Sequence, residues 1–235
     1  MANVYGTEGR LLEQLALNGE LSVSQLARAT GLSYPTTLYK ASSFPFVAFQ
    51  KAGREKKLRI RDEDVDAVYP FLIALQTSRA KKAQLTMAFL SRKGLSDASL
   101  GGELALEKQL PVKDAEPDPE IEIRTGNQKA FRRFASRTLS KAMDSDFTSN
   151  SRIVEDRDTA SAKRIGLLQV SRPEKLLVDA VAEKQSRVFV ENVVEAIVNS
   201  RHSVDTDFLR SYAKSRGVLE EVVRELEEAK GSGFP

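Results

Sequence analysis

The sequence predicts an α+β fold, and two adjacent segments near the N-terminus carry that prediction. Residues 21–40 contain two short helical patterns separated by Gly31. Residues 46–61 then alternate apolar and basic side chains around Gly53, as in a β-hairpin. Two helices joined by a short turn and followed by a basic hairpin are typical of a winged helix-turn-helix domain. We therefore expect such a domain over residues 1–93.

The composition and the residue pattern of the sequence change beyond residue 93. It contains a glycine pair, a proline-rich acidic stretch and an alternating strand pattern, and these are followed by four amphipathic helical segments. We therefore expect a second domain over residues 94–235, with a mixed α/β fold and a helical C-terminal tail.

The helix pair carries its own start and stop signals. Ser22 and Gln25 have the spacing of a capping box, and Gly31 suits the left-handed residue that ends a helix. Ser33 can cap the second helix, and Pro35 fits its first turn, where no amide hydrogen is needed. The pair is therefore expected to be two separate helices.

The other elements follow from periodicity, caps and breakers. In the first part we expect a helix over 7–18, a strand over 20–22, a helix over 63–75 capped by Asp62 and broken or kinked near Pro70, and a helix over 80–92. In the second part we expect a strand over 120–124, a helix over 129–143, a loop over 145–159, a strand over 164–170, and helices over 174–182, 188–198, 206–216 and 218–230.

The residue types on the second helix and the hairpin indicate binding to double-stranded DNA. Hydroxyl groups can contact phosphates and base edges, and lysine and arginine neutralise phosphates. Residues 51–61 alone carry a net charge of +5. The predicted DNA-binding residues are Ser33, Tyr34, Thr36, Thr37, Tyr39, Lys40, Lys51, Arg54, Lys56, Lys57, Arg59 and Arg61.

Composition narrows the classes of protein. The 235 residues include no cysteine and one histidine, so disulfides and thiolate zinc sites are excluded and no metal or cofactor is expected. Residues 1–93 hold 14 basic and 8 acidic side chains, whereas the remainder has a small acidic excess. The basic excess therefore belongs to the predicted DNA-binding domain. No long apolar run and no signal-peptide pattern is present, and we expect a cytoplasmic protein.

Residues 170–179, VSRPEKLLVD, connect a strand to a helix through Pro173. This segment resembles the Ser-x-Pro-Glu-(Arg/Lys)-x-Leu-x-Asp stretch of AbiEi-type antitoxins from abortive-infection (type IV toxin–antitoxin) systems. The order of the glycine pair, the 121–123 strand and the 205–217 helix is similar too. The resemblance implies a transcriptional autorepressor that counteracts a nucleotidyltransferase toxin without necessarily forming a stable complex with it.

Other interpretations stay open at this point. Gly101 and Gly102 followed by Asp118, Glu120 and Glu122 are faintly similar to nucleotidyltransferases, in which a carboxylate pair binds two Mg²⁺ ions. However, their spacing is wider than in that motif, and glutamate alternating with isoleucine is the ordinary pattern of a half-exposed strand. A winged-helix regulator of a plasmid or virus, unrelated to antitoxins, is a further alternative.

Two further features complete the candidates. Arg132, Arg133 and Arg137 form a second basic patch on one predicted helix, suited to nucleic acid or to an acidic partner. His202 is expected in a polar helix connection rather than in a catalytic site. The operator, the effector and the oligomeric state stay open, and no catalytic residue is predicted.

Overall fold

A computed structural model describes residues 6–53, 55–95, 97–110, 121–139, 151–156, 158, 161–199 and 204–231. Within these residues the fold is mixed α+β, with many helices and two separate sheets, as predicted. Arg54, Asp118, Glu120 and His202 lie outside the described residues. In the described part of the chain, no helix combines the length and the apolar character needed to cross a membrane.

The N-terminal part combines helices with a three-stranded antiparallel sheet in the order β1-β3-β2. The predicted first helix, short strand, helix pair and hairpin are confirmed. The elements are α1 (Thr7–Asn18), β1 (Glu20–Ser22), α2 (Val23–Thr30), α3 (Tyr34–Ser42), β2 (Val47–Ala52), β3 (Glu55–Ile60), α4 (Val65–Ala74) and α5 (Arg79–Arg92).

The predicted caps of α2 and α3 are present. The backbone N–H of Gln25 donates to Ser22 Oγ, and the backbone N–H of Ser22 donates to Gln25 Oε1 at 2.8 Å, which completes the capping box. Gly31 has φ +70°, and Ser33 Oγ accepts from the N–H of Thr36. These caps fix the point at which the chain turns from α2 into α3.

The segment after the hairpin differs from the prediction in two ways. Asp62 does not cap a helix, because it begins a single 3₁₀ turn and its carboxylate instead accepts a hydrogen bond from Arg92. α4 runs through Pro70 without a break, although a break or a kink was expected there. The neighbouring Tyr69 is buried and donates from its hydroxyl to Ala16 O at 2.8 Å. Packing of this face therefore outweighs the one hydrogen bond that proline removes.

The second sheet is mixed, with the order β6-β5-β4-β8-β7. The pairs β4/β5 and β7/β8 are antiparallel, whereas β5/β6 and β4/β8 are parallel. The elements of this part are β4 (Ala98–Gly101), α6 (Gly102–Glu107), β5 (Glu122–Thr125), α7 (Gln128–Leu139), β6 (Arg152–Glu155), β7 (Ala162–Ile165) and β8 (Leu168–Ser171).

Two predictions for this part were wrong. Part of the predicted 145–159 loop is strand β6, and the predicted strand over 164–170 is a hairpin of β7 and β8 that turns at Gly166. Only Ile153 of β6 is buried, so its sequence lacks the alternation of a half-buried strand. Gly166 has φ +61° at this turn. An isolated glycine within a strand pattern can indicate such an interruption of the strand.

The C-terminal part is helical, as predicted. Asp205 caps one helix by accepting from the N–H of Phe208 at 3.0 Å, and Gly217 ends that helix with φ +73°. The four helices are α8 (Pro173–Ala182), α9 (Arg187–Asn199), α10 (Thr206–Arg216) and α11 (Leu219–Gly231).

The apolar core continues across the predicted domain boundary. One contiguous cluster of buried side chains includes residues from α1 to α11, and α5 packs against β8. At the contact between α1 and the β7/β8 hairpin, the N–H of Leu167 donates to Leu17 O at 2.9 Å. The division at residues 93 and 94 stays a prediction.

Gly166 is expected to tolerate a side chain poorly. A Cβ there would lie 2.6 Å from Leu17 O, which is backbone and cannot move away easily. Gly217 offers a matched control, because it also has positive φ but has no atom within 4 Å of the added Cβ. Gly166→Ala should therefore lower the free energy of unfolding by at least about 1 kcal/mol more than Gly217→Ala in urea titrations. Equal losses of stability in the two variants would show that the close approach of Gly166 to α1 does not add to the cost of the substitution.

Candidate nucleic-acid interface

Helix α3 presents a polar, aromatic face to solvent. Thr36, Tyr39 and Lys40 are spaced three and four residues apart and so lie on one side of the helix. Tyr39 is 78% exposed and Tyr34 is 46% exposed, unusually high values for large aromatic side chains. Ser33 is exposed at the N-terminus of the same helix. The predicted residues of α3 are thus brought together, with one exception.

The exception is Thr37, whose predicted DNA contact is wrong. Its side chain is fully buried, and its hydroxyl donates to Ser33 O at 2.9 Å. Thr37 lies four residues before the buried Ala41 and therefore on the same, inward face of α3. This spacing was visible in the sequence.

The hairpin of β2 and β3 places two lysines directly opposite each other near its tip. Lys51 pairs with Lys56 in the antiparallel register, and both side chains are exposed. Like charges at such positions destabilise a sheet. Neither lysine has an ion-pair partner among the described residues, and Arg61, just after β3, has none either. These three cations are therefore available to an external anion.

Three other predicted cations, all within the described residues, already have carboxylate partners. Lys40 pairs with Glu8 of α1, Lys57 Nζ lies 2.7 Å from Glu20 Oε1, and Arg59 lies 3.6 Å from Asp62. The hydrogen bond to Glu20 raises the pKa of Lys57, and the hydrogen bond from Lys40 lowers the pKa of Glu8. The sequence analysis treated all these cations as equivalent, whereas the structure divides them into free and paired groups.

Sequence reasoning missed one exposed residue of the hairpin. Phe49 is 42% exposed on β2, on the same face as Lys51. Its place in the apolar alternation of the hairpin predicted a buried side chain, like that of Leu58 directly opposite it. An aromatic ring beside free lysines adds an apolar contact to the basic surface.

The segment that carries the family resemblance builds structure rather than an exposed site. Glu174 Oε1 accepts from the N–H of Asp205 at 3.0 Å, which ties α8 to the start of α10. Lys175 is buried, and its Nζ lies 2.8 Å from Asp179 Oδ2, 2.9 Å from Asp156 Oδ2 and 2.6 Å from the Tyr212 hydroxyl. Burial raises the pKa of Tyr212 to about 12.

A second buried cation lies beside this lysine. Arg124 of β5 contacts Glu122 Oε1 and Asp179 Oδ2, both at 2.7 Å, and Glu183 at 3.2 Å. Burial by itself lowers the pKa of Arg124, but the three carboxylates outweigh burial and raise it. We refer to Glu122, Arg124, Asp156, Lys175, Asp179 and Glu183 as the buried ionic cluster.

The cluster corrects the expectation for the β5 strand. All four residues of β5 are buried, so glutamate alternating with isoleucine does not mark a half-exposed strand here. Glu122 contacts Arg152 at 3.1 Å in addition to Arg124, and both of its oxygens are therefore occupied by arginine. A Cβ on Gly101 would overlap Glu122 Oε1, which explains the first residue of the glycine pair.

The basic patch on α7 lies on the exposed side of that helix. Arg132, Arg133 and Arg137 are exposed, and the buried Phe131 and Ala135 anchor the opposite side.

Comparisons with family models, with curated proteins and with solved structures find no match to the chain.

Proposed function

We propose that the chain is a winged helix-turn-helix protein that binds double-stranded DNA and regulates transcription. The observation that carries this proposal is the pair of opposed lysines, Lys51 and Lys56, on a hairpin next to a helix with an exposed polar face. Two like charges held face to face without an internal counterion favour an external polyanion.

In this proposal, helix α3 and the β2/β3 hairpin have different roles in DNA binding. Helix α3 would lie in the major groove, where the Thr36 and Tyr39 hydroxyls can reach base edges. Lys51, Lys56 and Arg61 would contact phosphates, which fixes the position of the protein but does not read sequence. Sequence preference would therefore come from α3 and affinity mainly from the hairpin.

Binding to random and to selected DNA tests this proposal. The full chain is titrated into labelled 25-base-pair duplexes of random sequence while anisotropy is followed at several salt concentrations. A pool of random duplexes is also selected over several rounds. We expect binding that weakens steeply with salt, and enrichment of one sequence motif. Absence of binding at about 50 mM salt would contradict the proposal.

The α3 hydroxyls should determine sequence preference. Thr36→Val and Tyr39→Phe each remove one hydroxyl and keep most of the shape, so each should cost about 1–3 kcal/mol on the selected sequence if it contacts a base. The loss on random DNA should be much smaller. Tyr34→Phe tests the less exposed tyrosine in the same way. Equal losses on both kinds of DNA would make α3 a phosphate-binding helix instead.

We further propose, from the resemblance to AbiEi-type antitoxins, that the chain counteracts a nucleotidyltransferase toxin. Residues beyond 93 would carry this activity, without a stable complex being required. Co-expression of the full chain with such a toxin should restore growth. If this activity is separate from DNA binding, a Lys51→Gln, Lys56→Gln double variant should restore growth as well as the wild type does. Failure of both the wild type and this variant to restore growth would contradict the antitoxin role.

A further inference from the structure

Two carboxylates reach the basic surface from elements that carry none of its predicted DNA contacts. Glu8 belongs to α1 and pairs with Lys40 of α3, and Glu20 belongs to β1 and pairs with Lys57 of β3. The partners are 32 and 37 residues apart in the chain. Both pairs are therefore set by the tertiary fold and not by local helix or strand spacing.

Glu20 lies beside two cations of β3 and pairs with one of them, Lys57. In the β1/β3 register Glu20 is directly opposite Arg59, and its carboxylate hydrogen-bonds the neighbouring Lys57 on the same face of β3. The Glu8 side chain is 51% exposed, so its pair with Lys40 is accessible to solvent. Exposed ion pairs of this kind contribute little to stability.

We propose that Glu8 and Glu20 compete with DNA phosphates for Lys40 and Lys57. The carboxylates hold both lysines in the free protein, and a phosphate can bind either lysine only by displacing its carboxylate. This competition weakens binding to the phosphate backbone, which every sequence shares, and leaves the base contacts of α3 unaffected. Glu8 and Glu20 are thus positioning residues that lower the affinity for DNA of any sequence and the salt dependence of that affinity. The inference rests on the proposed DNA binding.

The test is a double variant, Glu8→Gln with Glu20→Gln, in the full chain. Each freed lysine can release about one more counterion, so the slope of log K against log salt should steepen by up to about 1.8. Affinity for random 25-base-pair duplexes in about 0.1 M salt should rise by up to roughly 10-fold for each lysine. Affinity for the selected sequence should rise by a similar factor, so the ratio of specific to random binding should stay nearly unchanged.

A control variant separates this effect from net charge. Glu221→Gln with Glu227→Gln removes the same two charges from exposed α11 residues that make no ion pair in the described structure. It should leave the salt slope almost unchanged. Equal slopes for the wild type and the Glu8→Gln, Glu20→Gln variant would overturn the competition while DNA binding stands. Absence of binding by both proteins would overturn the proposed function as well.

Discussion

Replacing Arg124 with methionine is expected to lower the free energy of unfolding by about 3–5 kcal/mol. Methionine fills most of the space but removes the charge, which leaves Glu122, Asp179 and Glu183 with less compensation in a buried setting. Breaking a buried ion pair by removing one partner is costly because the other partner stays desolvated. Urea unfolding of the wild type and the variant measures the difference.

Arg133→Met is the matched control for this substitution. Arg133 is exposed on α7, and the same change of side chain there should alter stability by less than about 0.5 kcal/mol. A loss below about 1 kcal/mol for Arg124→Met would show that the buried ionic cluster is interchangeable with apolar packing.

The pH dependence of stability provides a second, independent measurement on the Arg124→Met variant. Burial alone would raise the pKa of Glu183, but the charge and hydrogen bond of Arg124, with the hydrogen bond from Gln185 and the charge of Arg152, together outweigh burial and lower it. A carboxyl whose folded pKa is lowered stabilises the protein above its unfolded pKa, and this contribution disappears as the pH falls through the folded pKa. The Arg124→Met variant should therefore lose less stability than the wild type between about pH 5 and pH 3.

The elements that local signals specify were predicted well. The capping box at Ser22 and Gly31 bound α2, and the Asp205 cap and Gly217 bound α10; these two helices were predicted because each signal acts within four residues. The 3₁₀ turn at Asp62 and the continuous helix through Pro70 were not predicted, since both follow from packing against α1 and α5.

The ionic arrangement of the molecule could not be read from local patterns. Arg124 contacts Asp179 and Glu183, which are 55 and 59 residues away in the chain. The alternation of glutamate and isoleucine around Glu122 also does not distinguish this buried strand from a half-exposed one. Lys57 and Lys56 are neighbours in sequence, yet only Lys57 has a carboxylate beside it. Sequence thus identified the basic surface, whereas tertiary structure determined which of its cations are unpaired.

Replacing Lys51, Lys56 and Arg61 together with glutamine should have the largest effect on DNA binding. Each of these cations lacks an internal partner among the described residues, so each can release a counterion when it meets a phosphate. The salt slope should become shallower by up to about 2.7, and affinity for any sequence in about 0.1 M salt should fall by roughly 10²–10³-fold. Anisotropy titrations with random and selected duplexes measure both quantities.

The matched control is the triple variant of the paired cations, in which Lys40, Lys57 and Arg59 become glutamine. It also removes three positive charges from α3 and the hairpin, but these side chains already have carboxylate partners. Its effect on affinity and on the salt slope should be clearly smaller, with thermal unfolding confirming that both triple variants are folded. Equal effects of the two variants would mean that net charge alone governs binding. An unchanged slope for the Lys51, Lys56 and Arg61 variant would remove the hairpin from the DNA interface.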